Sequence, residues 1–239
     1  MIYSKRRRIQ YCMATSFLQK KLIYGLSIFI SAFIVVLSFF YGVFLSKTKV
    51  VARFETFYLL VAEELRIEAG AEFIKLEGGA GYLLRYEGTD YLLMSVYLSE
   101  TDGESVRVSL TGMGRAVQLL SVSVKYLYFK GEEKEQSTMY MSALDALKSY
   151  LCVMERCVSM LDNGATQESV KRILIPMRRQ LLYLSNLYKT EYSPFAKLCS
   201  SIATELGEME NGILYTRDLR YLSCGIVDGY LRLCKKFTL

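Results

Sequence analysis

The sequence predicts an α+β chain: a single transmembrane helix, then a small βαββαβ sandwich, then an all-α antiparallel helical bundle. Three observations carry this. Residues 22–46 form an unbroken apolar run. Residues 54–130 alternate apolar and polar positions with the period of strands. Residues 137–239 repeat apolar side chains at spacings of three and four, the period of helices. The chain therefore divides into a basic leader at 1–21, a membrane span at 22–46, an α+β domain at 54–131 and a helical bundle at 137–239.

The apolar run from Leu22 to Ser46 contains no Asp, Glu, Lys, Arg, Asn, Gln or Pro. A helix needs roughly 20 apolar residues to cross a hydrocarbon layer of about 30 Å, so this run suffices with some tilt. A cleaved signal peptide has a shorter apolar region, about 7–15 residues, and a small-residue cleavage site. The SKTKVVA that follows is a poor one, and an uncleaved anchor is expected.

Charge sets the orientation. Lys5, Arg6, Arg7, Arg8, Lys20 and Lys21 precede the span, and the first acid is Glu55. Lys47, Lys49 and Arg53 follow it. The bias toward the leader places the N-terminus in the cytoplasm and the distal part outside it, in a cell membrane crossed once. Of 30 cations, taking away those six leaves 24 against 24 acids, so the net +6 reports topology and contact with anionic lipid. No nucleic-acid partner is expected; the membrane lipid is one.

The residue inventory narrows the chemistry. There is no histidine, which removes the commonest general base and metal ligand. Of six cysteines, Cys12 precedes the span while Cys152, Cys157, Cys199, Cys224 and Cys234 fall in the distal half. No CxxC pair occurs, so no zinc site is indicated. All five distal cysteines lie in helical patterns, where buried thiols are expected; one disulfide between helices is the alternative in an oxidising compartment.

Within the first distal part, Phe57–Ala62 is a compact apolar run suited to a buried strand. A helix is expected in the latter half of 64–76, stopped by Gly78-Gly79-Ala80-Gly81, whose glycines serve close helix–strand packing. GYLLRYEG and TDYLLMSVYL read as two strands of a hairpin turning near Glu87-Gly88-Thr89-Asp90. Thr101 or Asp102 can cap a helix through Leu110, which Gly112 and Gly114 break. Val117–Phe129 closes the set, with Val122, Val124, Tyr126 and Tyr128 expected on one face. Both helices should lie on one face of the sheet.

This order, with Ala69-Gly70-Ala71-Glu72, Gly78-Gly79-Ala80-Gly81-Tyr82 and Ser95-Val96-Tyr97 before Ser99-Glu100-Thr101-Asp102-Gly103-Glu104, resembles the SPOR (sporulation-related repeat) family over about residues 55–130. The resemblance implies binding of peptidoglycan glycan strands, above all those stripped of stem peptides, on the sheet face opposite the helices. On such a face aromatic rings stack on sugars and small polar groups bond hydroxyls. The candidates are Tyr58, Tyr86, Tyr91, Ser95 and Tyr97, with Lys125 and Tyr128 on the last strand. Two departures stand out. Many members of the family place glutamine early in the first strand, where Leu59, Leu60 and Val61 stand here. The tether at 47–55 reaches at most about 30 Å, short for a module that must meet a distant wall.

The polar stretch Gly131–Ser137 reads as a linker. Beyond it, Thr138–Leu161 is helical and ends at Asn163-Gly164. Thr166 caps a second helix to about Tyr188, which Pro176 should kink or split. Ser193-Pro194 opens a third, ending at Asn211-Gly212, and Tyr215–Phe237 makes the fourth. Loops this short predict antiparallel packing. The cations Lys171, Arg172, Arg178 and Arg179 form a solvated helix face, or a contact with lipid headgroups or an anionic polymer.

No catalytic residues, metal ligands or cofactor are predicted: nucleophile elbow, phosphate loop and metal constellation are all missing. Two functions follow. One is a membrane-anchored bacterial cell-envelope protein whose SPOR-like module binds peptidoglycan glycan in cell division or sporulation. The other is a non-catalytic membrane scaffold that uses the module and the bundle to bind a membrane-proximal envelope protein.

Overall fold

The computed structural model describes residues 48–63 and 67–238. The expected membrane span at 22–46 lies outside them. Among the described residues no helix is long and apolar enough to cross a membrane. Among the described residues the fold is α+β, with a four-stranded antiparallel sheet and six α-helices. Their order is β1 (Thr48–Ala62), α1 (Ile67–Leu76), β2 (Tyr82–Tyr86), β3 (Thr89–Tyr97), α2 (Glu100–Gly112), β4 (Val117–Lys130), α3 (Ser137–Asp162), α4 (Gln167–Leu187), α5 (Ser193–Asn211) and α6 (Thr216–Lys235).

The sheet order is β2-β3-β1-β4, the arrangement of two interleaved split βαβ units. Tyr82 to Tyr86 run antiparallel to Leu93 to Thr89. Their turn at Glu87-Gly88 takes two left-handed residues, φ 51° and 83°, as a tight hairpin of matching twist requires. Tyr58, Leu59 and Leu60 face Tyr97, Val96 and Ser95, after which a bulge brings Val61 opposite Leu93.

Alternation along the strands divides their side chains between two cores. On one face Leu60, Leu92, Met94 and Val117 pack with Ile74 of α1 and with Val106 and Leu110 of α2, so both helices do lie on one side. The cap of α2 is Ser99, whose hydroxyl accepts from the Asp102 N–H; it precedes the expected caps, Thr101 and Asp102, by two and three residues. On the other face Phe57, Leu59, Leu84, Leu93, Val122 and Val124 enter a larger core that continues through α3, α4, α5 and α6.

That second core departs from the expected division at 131–137. Val50–Leu239 forms one compact unit, and the presumed linker is a short 3-10 turn, Gly131–Lys134, leading into α3. The cause is α6. Leu219, Leu222, Cys224, Ile226, Val227, Tyr230, Leu231, Leu233 and Cys234 are all buried, and a helix with so broad an apolar face, Arg232 and Lys235 being left in solvent, packs between layers. One side of α6 meets the sheet and the other meets α3 and α5.

Three further expectations change. β1 begins at Thr48, well before Phe57, so the tether is shorter than the sequence suggested. Pro176 does not split α4, which runs unbroken from Gln167, capped by Thr166 as expected. Pro176 and Arg172 are both exposed, so the carbonyl that loses its donor faces water. In β4, Val122 and Val124 point inward, but the alternation then shifts and Leu127 and Phe129 are the buried residues. Tyr126 and Tyr128 therefore do not share the face of Val122 and Val124. The shift falls beside Phe54, whose backbone is left-handed at φ 46°.

All five distal cysteines are free thiols; Cys152 is exposed and the other four are buried. Burial pushes the Cys157 thiol up to about 11 and the Cys199 thiol to about 12, which lowers the thiolate fraction that reacts. In the folded chain, Cys152 should be the distal cysteine that maleimide labels. Cys157, Cys199, Cys224 and Cys234 should label only in denaturant, as read by mass spectrometry. Early labelling at Cys224 would contradict the packing of α6.

Candidate functional site

The face opposite α1 and α2, where the family resemblance puts glycan, is covered by the chain's own α6. The cover is anchored by polar groups as well as by packing. The Tyr82 hydroxyl on β2 donates to Asp228 Oδ2 on α6 at 2.7 Å. Arg232, one turn along, closes on the same carboxylate, with Nε to Oδ1 at 3.0 Å. Burial first, and then the bond to Asp228, raises the Tyr82 pKa far above the usual phenol value, so Tyr82 stays a donor. Tyr82 also meets Tyr221 edge-on, ring centroids 5.0 Å apart.

A second anchor lies on β1. The Phe57 and Tyr230 rings meet edge-on at 4.9 Å, and Arg53 Nε donates to the Tyr230 hydroxyl at 2.7 Å. Arg53 Nη1 reaches Asp145 of α3 at 2.6 Å. Next to it, Lys148 Nζ on α3 pairs with Glu55 at 2.6 Å. Charged residues of β1 thus point into the interface and bind the helical layer.

The five candidate residues are not gathered on one surface. Tyr58, Ser95 and Tyr97 lie on the side of α1 and α2, since Tyr58 pairs with Tyr97 and Ser95 with buried Leu60. Ser95 is buried, and the Tyr97 ring packs beside Gly103 of α2. Burial raises the Tyr97 pKa, opposed by a bond to the Ser95 hydroxyl. Tyr86 and Tyr91 lie on the α6 side, half-buried against the larger core.

Two open clefts bear on the candidate residues. The larger, about 780 Å³, lies between β2 and the C-terminal half of α6 and is lined by Tyr82, Arg85, Tyr86, Asp228, Arg232 and Lys235. Its size is that of a small-molecule site. The smaller, about 540 Å³, lies where the end of β3 meets α2, α3 and α6 and holds Ser95, Tyr97, Cys152, Glu155, Asp162 and Arg220. In it Glu155 accepts the Leu98 N–H at 2.6 Å. Burial raises its pKa, and the Leu98 donor works against that shift. Arg220 bridges Gly78 O at 2.6 Å and Asp162 Oδ2 at 2.7 Å, and its Nε is buried without a hydrogen-bond partner. Among the described residues no group of three Cys, Asp or Glu side chains is placed to hold a metal ion.

The cation cluster on α4 is partly structural. Lys171 Nζ donates to the carbonyls of Glu210 and Gly212 at 3.0 and 2.7 Å, and Arg178 pairs with Glu210 at 2.9 Å. Both close the end of α5 against α4. The sequence held one signal for the anchor residues that were missed: Asp228 stands alone in the apolar stretch Ile226-Val227-Asp228-Gly229-Tyr230, and a lone acid there needs a partner. Its partner, Tyr82, is 146 residues away.

Set beside known protein families, curated proteins and solved structures, the chain matches none of them.

Proposed function

We propose that the chain is a single-pass, non-catalytic scaffold of a bacterial cell membrane, with its N-terminus in the cytoplasm and its α+β unit outside, working through protein contacts. The observation that carries this reading is the position of α6 on the sheet. A glycan strand needs an open sheet floor, and that floor is taken by Tyr230, Asp228 and their neighbours. The apolar run at 22–46 and the cationic leader support the membrane tether.

A second reading keeps the SPOR-like glycan function, in division or sporulation, and has its own support. In the 780 Å³ cleft, Tyr86 and Tyr82 stand beside Arg85, Arg232 and Lys235, an aromatic and polar lining fit for a short stretch of sugar. The two readings separate in one experiment. The full chain in detergent is sedimented with purified peptidoglycan, untreated or digested by an amidase. The scaffold reading expects it to stay in the supernatant in both cases. Enrichment on amidase-treated material, lost in Tyr86→Ala, would establish the glycan reading in its place.

A further inference from the structure

β1 carries an irregularity that turns a large ring toward solvent. Phe54 adopts φ 46°, a region that bulky side chains rarely enter, and its ring is then left 67% exposed. Local strain of this kind persists where the surroundings or a function demand it. Beside Phe54, Tyr126 of β4 is 44% exposed, and the two rings meet edge-on at 5.5 Å. Val50, also on β1, is 45% exposed. The burial shift in β4 turns Lys125 and Tyr126 outward in succession, with Tyr128 half-buried and Lys130 exposed after them. This end of the β1–β4 ribbon therefore presents apolar and aromatic groups ringed by cations, while Arg53, Glu55 and Phe57 on its other face are committed to α3 and α6.

Chain length says what meets that face. From Ser46, where the apolar run ends, to Val50 the chain reaches at most about 14 Å. A tyrosine such as Tyr126 settles at the lipid headgroup level, exposed apolar groups such as Phe54 and Val50 gain by burial at the headgroup–acyl boundary, and lysines beside them are drawn to anionic lipid. We propose that the ribbon face made by Val50, Phe54 and Tyr126, with Lys125 and Lys130 at its rim, lies on the bilayer surface next to the chain's own anchor. The proposal rests on the membrane-tethered reading. It makes the ribbon a second, interfacial contact that fixes the unit's tilt and leaves α4 and α5 for partners.

The chain contains no tryptophan, so one introduced indole is a clean reporter. Full-length Phe54→Trp and, separately, Tyr126→Trp are reconstituted into vesicles containing phosphatidylglycerol, with or without lipids brominated near the headgroup end of the acyl chain. Tyr183→Trp serves as the control, an exposed site on α4. Blue-shifted emission quenched by brominated lipid at 54 and 126, with the control unquenched, is the expected result. Unquenched, red emission at both sites in a chain that resists alkaline carbonate extraction would overturn the lipid contact and leave a protein as the occupant. A chain released by carbonate would show instead that the tether itself is wrong, and the proposal falls with it.

Discussion

Replacing Tyr230 with alanine is expected to lower the stability of the whole described unit by about 4 kcal/mol, the cost of truncating a buried aromatic. Tyr230 is 1% exposed and joins three elements: it packs on Phe57 of β1, accepts from Arg53 and sits on α6. Its loss also strips an acceptor from a guanidinium whose side chain is only 5% exposed and whose Nη2 already lacks a partner. Unfolding of the full chain in detergent, followed by circular dichroism, should show one cooperative transition, lower by roughly 10 °C in the variant. Tyr230→Phe, which keeps the ring, should lose only about 1–2 kcal/mol. Two transitions, with only the second displaced, would mean that residues 54–131 and 137–239 fold independently after all.

The second large effect is expected at Gly81. Its φ is 59°, and a Cβ there would lie 2.4 Å from the Ala71 carbonyl oxygen and 2.9 Å from Lys75 Cγ. Neither the left-handed backbone nor the contact with a helix carbonyl can be relieved cheaply. Gly81→Ala should cost about 3 kcal/mol, the sum of a backbone penalty and overpacking. Gly88 is the matched control. It has φ 83° but nothing within 4 Å of its Cβ position, so Gly88→Ala should cost only about 1 kcal/mol. Equal losses in the two variants, measured by urea titration, would show that α1 does not approach β2 as closely as described.

The elements were legible wherever local chemistry decides. The GGAG run reads as a close helix–strand junction because glycine alone tolerates the approach, and Gly79 and Gly81 both lie against α1. Glu87-Gly88 reads as the hairpin turn, and Thr166 and Asn163-Gly164 as helix ends, because capping and turn conformations depend on residues only a few positions apart. The candidate site was legible only in part. An aromatic strand residue looks the same whether it faces ligand or core, so Tyr86 and Tyr97 could not be assigned to opposite faces before the register was known.

By itself, the sequence determined the βαββαβ order, the helices that follow and the apolar run before them, since each depends on periodicity and on residues close in the chain. Only the tertiary structure decided that sheet and helices share one core and that α6 closes the expected binding face. The physical reason is distance along the chain. Arg53 finds Asp145 across 92 residues and Tyr230 across 177, and Tyr82 finds Asp228 across 146. Each of these groups, read alone, is a charge or phenol on a strand or helix. Only when packing brings them within hydrogen-bond reach does burying them become favourable, and with them the sheet.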